Sequence, residues 1–508
     1  MRPPLANLGS STTVIREIKF AMKHLPIRLR LARLPLLVNA LTMTWLAAVF
    51  CFGSAGAAPM WPQFRGPNSQ GVDDRGQPPV AFGPKTNFLW KVSVPPGLSS
   101  PCVWGNRIFL TAHEAGKLST LCLDRRNGRI LWSKLAPKDN VEEVHKASNP
   151  ASATPATDGQ RVYVYFASFG LIAYDFNGRE QWQKPLPVPF VVNGSGTSPA
   201  LLGGRLLLNC DQQGGKSFLL ALDPRSGKTL WQTPRPDFPS GYTTPVLWKH
   251  DGAEEIIVAG SLRVVGYGLA DGKEHWSARG LEAVSVCPTP ALGDGQVYIM
   301  SRSLGEGGSK MPPFQGLLGA MDKNGDGKIA KSEAVGPLRQ NGAFEFIDRD
   351  QDGFVDAAEW AESEKFISKS ESGIFALRVP GTGDVTGTHV VWKQKRAAAS
   401  VSSPLFYRGR IYVVQDGGRV SCYNAKTGEK AFEQERLEAE GEYFASPLAA
   451  RGNIYFASTR GTVSAIAAGD TLKVIARNEL GEPIMATPAL ADSKLYVRTS
   501  SHLWAFGR

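Results

Sequence analysis

Two short stretches hold the side chains with the clearest chemistry. In the first, Asp322, Asn324 and Asp326 stand at positions 1, 3 and 5 of a twelve-residue run that ends in Glu333, with Gly327 at position 6 and Lys328 at position 7. Asp348, Asp350, Asp352, Gly353, Phe354 and Glu359 repeat the arrangement 26 residues later. Oxygens at positions 1, 3 and 5, the backbone carbonyl of position 7 and a bidentate glutamate at position 12 wrap a hard divalent cation, and the glycine allows the sharp turn between them. Lys328 and Phe354 would therefore serve through main-chain oxygens. The spacing predicts two Ca²⁺ sites. The second ring carries five carboxylates, counting Asp356, whereas the first carries three beside neutral Asn324, with Lys323, Lys328 and Lys331 close by. The second is expected to hold the ion more tightly.

Both runs resemble the calcium loop of the EF-hand family at every ligand position. Residues 305–372 are expected to form a small α-helical pair, with Ile329 and Val355, at position 8, exchanging a short β bridge. Gly336-Pro337 interrupts the linking helix, which favours a compact structural pair over a sensor that opens a groove.

The rest of the chain must position these loops, and it is repetitive. A Ser/Thr-Pro opening recurs at Pro101, Pro155, Pro199, Pro245, Pro290, Pro404, Pro447 and Pro488, at separations of 54, 44, 46, 45, 114, 43 and 41 residues. Each opening leads to short apolar strands, an Asp/Asn-x-x-x-Gly turn and, in most repeats, a tryptophan. A period in the forties built from short strands predicts a radial array of four-stranded sheets, because one such unit cannot bury both its faces alone. In the third repeat the strands fall at 197–201, 205–209, 218–222 and 228–232. Trp132, Trp182, Trp231, Trp276 and Trp392 are expected to fill the gaps between neighbouring sheets. The eighth repeat stops after three strands, and its missing tryptophan strand appears at 87–92. Pairing the two would close the ring and remove both free edges. The expected fold is all-β: an eight-bladed propeller closed by an N-terminal strand. The long interval of 114 places the calcium pair inside blade five, between 296–300 and 374–378.

Repeats such as Ala221–Trp231, of the form Ala-Leu-Asp-x-x-Thr/Ser-Gly-Lys-x-Leu-Trp, resemble the pyrroloquinoline-quinone-type (PQQ-like) propeller family, and Trp61-Pro62-Gln63-Phe64-Arg65-Gly66-Pro67 resembles its exported bacterial members. That family includes quinoprotein dehydrogenases and non-enzymatic scaffolds, so the resemblance implies the fold and leaves activity open.

The net charge is +11, and residues 1–58 account for +6 of it through seven basic side chains and Glu17. The remaining excess is spread without basic runs, which argues against nucleic acid as a partner. Basic residues ending at Arg33, an apolar stretch over 34–52 and the small cluster 54–58 predict an export signal over 1–58, with translation starting at either Met1 or Met22. The alternative is an uncleaved anchor, the one expected membrane contact. Residues 59–304 then hold blades one to four, half of blade five and the closing strand, and 373–508 the remainder. Beyond the signal, Cys102, Cys122, Cys210, Cys287 and Cys422 have neither disulfide nor metal-ligand spacing and read as small buried hydrophobes.

Between sheets, the crossing segments nominate Glu142, His145, Asn149, Asn193, Ser195, Tyr242, Glu282, Glu442 and Tyr443 as residues at the mouth of the channel. His145 beside Glu142 and Glu143 offers metal or acid/base chemistry, against a plain solvated loop, which the composition of the segment favours. No catalytic residues are assigned. The sequence therefore favours a periplasmic or secreted calcium-binding scaffold or ligand-binding module, whose partner is another exported or outer-membrane protein or an extracellular ligand. The alternative is a PQQ-dependent alcohol or sugar dehydrogenase; the chain lacks the adjacent cysteine pair usual in such enzymes, and PQQ is not favoured.

Overall fold

The structure is a computed structural model and describes residues 60–137, 141–191, 193–250, 252–261, 263–279, 283, 286–302, 310–340 and 343–508. Each repeat folds into an antiparallel sheet built around four strands. In blade three these are Ala200–Leu202, Arg205–Cys210, Phe218–Leu222 and Thr229–Pro234, paired in sequence order. The three inner strands of the blades are almost wholly buried and read as continuous apolar runs, while the outer strand alternates, as strands with one wet face do. Blade eight supplies Ala489–Ala491, Lys494–Arg498 and His502–Phe506, and Phe88–Ser93 completes it from the other end of the chain, Phe88 opposite Phe506 and Ser93 opposite His502. Eight blades closed by an N-terminal strand is the architecture expected from the repeats. No described helix is long and apolar enough to cross a membrane.

Neighbouring blades are joined by a contact that explains two features of the repeat together. The indole N–H of Trp132 donates to Phe176 O in the next blade's outer turn, and Trp182, Trp231 and Trp392 do the same to Pro224 O, Leu269 O and Ala425 O. Trp90, on the closing strand, reaches Arg125 O of blade one at 3.0 Å. Each ring lies flat on the glycine that ends that turn. Gly128 has φ +75°, which favours glycine, and a Cβ there would sit 2.7 Å from the Trp90 ring. The turn glycine thus serves its own blade's geometry and the previous blade's tryptophan. Trp276 departs from the pattern: it is fully buried and donates to Glu255 within its own blade.

The closing seam has a polar lock as well. Burial works against ionisation of Glu482, but hydrogen bonds from Thr499 (2.6 Å) and Lys91 (2.9 Å) and the His502 ring, with Nδ1 2.9 Å away, outweigh it and bring its pKa down to about 2. Arg498, buried without a carboxylate partner, ties blade eight to blade one through Ser99 Oγ (2.7 Å), Thr111 O (2.9 Å) and Pro95 O (3.1 Å).

Within blade five, the second strand Gln296–Ser301 pairs with the third, Gly373–Arg378, and the EF-hand-like pair is inserted between them. Its helices Phe314–Met321, Ala343–Ile347 and Ala357–Lys369 surround a separate core of Phe314, Met321, Phe344, Phe346, Trp360 and Phe366. Ile329 pairs with Val355 in the short bridge between loops, and a 3₁₀ turn, Gly336–Arg339, stands where Gly336-Pro337 breaks the linking helix.

Two outcomes test this account of closure. Gly128→Ala is expected to cost about 1–3 kcal/mol, from positive φ and from overlap with Trp90, measured by denaturant unfolding. Because the folded pKa of Glu482 lies below its unfolded value, its stabilisation is complete above the ordinary carboxylate range and is lost as pH falls toward 2. Glu482→Gln should therefore lower the melting temperature at pH 7 and match the unsubstituted protein near pH 2.

Candidate functional site

The innermost strand of each blade leaves an edge facing the axis, and unpaired backbone groups there must find partners. Residues 60–77 supply them by running across the ring and visiting the blades in turn. Met60 and Trp61 pair with Trp104 and Val103 of blade one. Pro62 O accepts from Thr157 N of blade two, and Gln63 Oε1 from Leu201 N of blade three. Asn68 makes two bonds of 2.8 Å with the main chain of Leu247 in blade four, and Gln70 Oε1 accepts from Leu292 N in blade five. Arg65 donates to Pro404 O at the start of blade six, Gly71 and Asp73 bond the main chain of Ala449 in blade seven, and Gln77 N donates to Ser493 Oγ in blade eight. Trp61, Arg65 and Ser69 are fully buried. This segment plugs the channel at the face of the turns that follow the innermost strands.

Above the plug, the residue before each opening proline forms a belt around the axis. The amides of Ser100, Thr154, Ser198, Thr244, Thr289, Ser403 and Ser446 each donate to the hydroxyl of the next member, ending at Thr487, over 2.9–3.3 Å. Plug and belt enclose a blind cup of about 300 Å³, lined by seven of these hydroxyl residues together with Phe64, His145, Asn193, Tyr242, Cys287, Val401, Phe444 and Met485, among others. Among the described residues of its lining there is no lysine, arginine, aspartate or glutamate.

Of the residues nominated from the crossings, His145, Asn193 and Tyr242 meet in this cup, and Asn193 Nδ2 donates to the Tyr242 hydroxyl at 3.1 Å. Glu142 and Ser195 line an adjoining cleft and Asn149 a groove farther out. His145 Nδ1 accepts from the Ala147 amide, as in a loop that caps itself. Tyr443 is a correction: it is 2% exposed and bonds Ala439 O, because the crossing folds back beneath it, and its neighbour Phe444 reaches the cup instead. Glu442 is exposed and outside the cup, and Glu282 lies outside the described residues. Phe64, Cys287 and Met485 went unforeseen. Cys102, Cys122, Cys210 and Cys422 are buried and unbonded to one another, and burial pushes the Cys122 thiol up to about 12.

Both EF-hand loops turn carboxylates onto their own amides; in the second, Asp348 accepts from Gly353 and Glu359 from Arg349 and Asp356. In the first, Asp322 accepts from the amides of Gly325 and Gly327, Glu333 from those of Lys323 and Ala330, and Asn324 donates to Asp326. In the second, oxygens of Asp348, Asp350 and Asp352 lie within 4.8 Å of one another, the one such group among the described residues. Asp348 is 6% exposed and its Oδ1 is buried without a partner. Burial, then neighbouring carboxylates, raises the pKa of Asp348, and burial raises that of Glu359, whereas the hydrogen bond from Asn324 lowers that of Asp326. A divalent cation would relieve both the burial and the repulsion, and the oxygen-only donor set suits Ca²⁺. Lys328 Nζ, from the first loop, lies 3.4 Å from Asp352.

The sequence model described as outer membrane protein assembly factor BamB matches residues 80–195, 119–308 and 383–470, more than half of the chain. The chain belongs to that PQQ-like repeat family. The EF-hand model matches 314–333 and 341–362. No curated protein matches the chain in sequence. Solved structures share the fold at low identity. A europium-containing methanol dehydrogenase is 12% identical, covering 89% of this chain and 98% of its own, with a TM-score of 0.52. The quinohemoprotein alcohol dehydrogenase of Comamonas testosteroni is 13% identical, covering 89% and 82%, with a TM-score of 0.52. A computationally designed protein, Ika8, is 10% identical, covering 83% and 99%, with a TM-score of 0.51. The same ring thus hosts dehydrogenases and a designed protein, and what this PQQ-like chain does rests on its own side chains. Pyrroloquinoline quinone is a tricarboxylate, and the described lining of the cup offers it no lysine or arginine; the residues present do not suit it.

Calcium titration of position-12 variants tests the loops. Glu359→Gln should weaken the tighter site more than about tenfold, exceeding the loss from removing an outer-shell partner, while Glu333→Gln should spare it. Since burial raises the carboxyls of Asp348 and Glu359, protons compete for the second loop's ligands, and its apparent calcium affinity should fall as pH is lowered toward the carboxylate range.

Proposed function

We propose that this PQQ-like protein is an exported, calcium-binding propeller that acts by binding, as a protein-interaction scaffold or ligand-binding module, and not by catalysis. The observation that carries the reading is the cup: sealed below by the plug and walled by hydroxyls and aromatic rings, with no carboxylate, lysine or arginine among the described residues of its lining. Its lining offers shape and hydrogen bonds. The export reading rests on the basic, apolar and small-residue order of residues 1–58, and the Ca²⁺ reading on the two loops. The family's description as an assembly factor of the outer membrane supports another exported or outer-membrane protein as the partner, engaged on the face where the crossings and the calcium pair stand together.

Isothermal calorimetry on the whole protein, stripped of metal, tests this. Calcium is expected to titrate, and pyrroloquinoline quinone to give no heat with or without it. Tight one-to-one quinone binding would overturn the reading in favour of a dehydrogenase acting on alcohols or sugars.

A further inference from the structure

The calcium pair touches the propeller through its second loop. Gln213, on the turn that follows the second strand of blade three, donates from Nε2 to Glu345 O at 3.2 Å, on the short helix that leads into Asp348. Next to it, Gly214 comes so close that a Cβ there would lie 2.5 Å from Gln351 Nε2 and 3.8 Å from Arg349 O. Arg349 and Gln351 alternate with the ligands Asp348, Asp350 and Asp352. The face that grips blade three is therefore the back of the ion site.

Gln351 adds a second observation. It holds φ +62°, a region that a non-glycine residue enters at a cost of about 1–3 kcal/mol. The first loop has glycine at the same position, Gly325 at φ +74°. The second loop gives up that relaxed backbone and places at this point a side chain that reaches the propeller. On the propeller side the turn is held firmly. Asp211, two residues before Gln213, is fully buried and pairs with buried Arg235 at 2.6 and 2.8 Å, and the guanidinium lies 3.6 Å over the Phe238 ring. Beside this contact lies a cleft of about 700 Å³ between Pro236, Asp237 and Arg279 on one side and Arg349, Lys365 and Phe366 on the other. A fixed anchor meets a loop that carries a candidate ion site, through Gln213 and Gly214. Such contacts open at low cost.

We infer that calcium in the second loop locks the EF-hand pair onto blade three, through Gln351 and Arg349 against Gln213-Gly214, and that loss of the ion releases it. The inference rests on the calcium reading given above. Its consequence lies at the mouth: when docked, the pair contributes Lys331, Arg339 and Glu345 to a cleft of about 630 Å³, opposite Glu142 and Phe190, and this cleft adjoins the cup at His145 and Gly194. Calcium would then decide whether the binding face has that wall.

Hydrogen exchange on the whole protein, read at 211–217 with Ca²⁺ or with chelator, tests the lock, with calorimetry run alongside. Expected are calcium heats together with slower exchange at 211–217. In Gln351→Gly the heats should persist while 211–217 stops responding, and in Glu359→Gln both the tighter heat and the response should go. Because coupling is reciprocal, Gln213→Ala should weaken the tighter site by on the order of fivefold. Heats without any change at 211–217, a full response in Gln351→Gly, or unaltered affinity in Gln213→Ala would each overturn the lock and leave the calcium sites standing. Absence of calcium heat would overturn both.

Discussion

Eight inner strand edges facing one axis are the constraint around which this molecule is built. An edge strand offers unpaired amides and carbonyls, and eight of them meeting in a dry channel would be prohibitive. The chain answers in two tiers. Side-chain amides and main-chain groups of residues 60–77 take the ends of the strands, and the Ser/Thr belt passes one hydrogen bond from blade to blade above them. With the axis satisfied, the outer turns are free to be organised by stacking of tryptophan on glycine. The cup is what remains between the tiers.

Much of this was legible in the sequence, for a physical reason. Strand alternation, turn glycines and ligand spacing are local patterns, so the blades, the closing strand at Phe88–Ser93 and the bridge between Ile329 and Val355 could be placed from the repeat and the loops alone. The plug could not. Gln63, Asn68 and Gln70 replace a strand's main chain with side-chain amides, and a run of prolines, glycines and polar residues carries no period to detect. Its partners are also spread over the whole chain. The same limit explains Tyr443 and Phe444: which of two adjacent aromatics faces the axis depends on how the crossing folds back, and no local signal encodes that. The tryptophans were readable as gap fillers, yet their glycine partners, in the next repeat, emerge only in three dimensions.

The two EF-hand loops show how one motif is tuned by its surroundings. Both turn carboxylates onto their own amides, but Asp322 takes a second amide where the matching oxygen of Asp348 is buried and bare. The second loop also crowds three carboxylates, while its back rests on the propeller. These differences follow from charge count and burial, with the same fold in both.

The plug also sets an order of events in folding. Residues 60–77 precede every blade in the chain, but their last partners, around Ala449 and Ser493, lie some four hundred residues farther on. Contacts of such sequence separation form late and slowly. The floor of the cup therefore cannot settle until the final blade has been synthesised, and a chain cut short anywhere before it would leave inner edges bare and prone to pair with other chains. A segment ahead of the blades acts as the check that the last of them has formed.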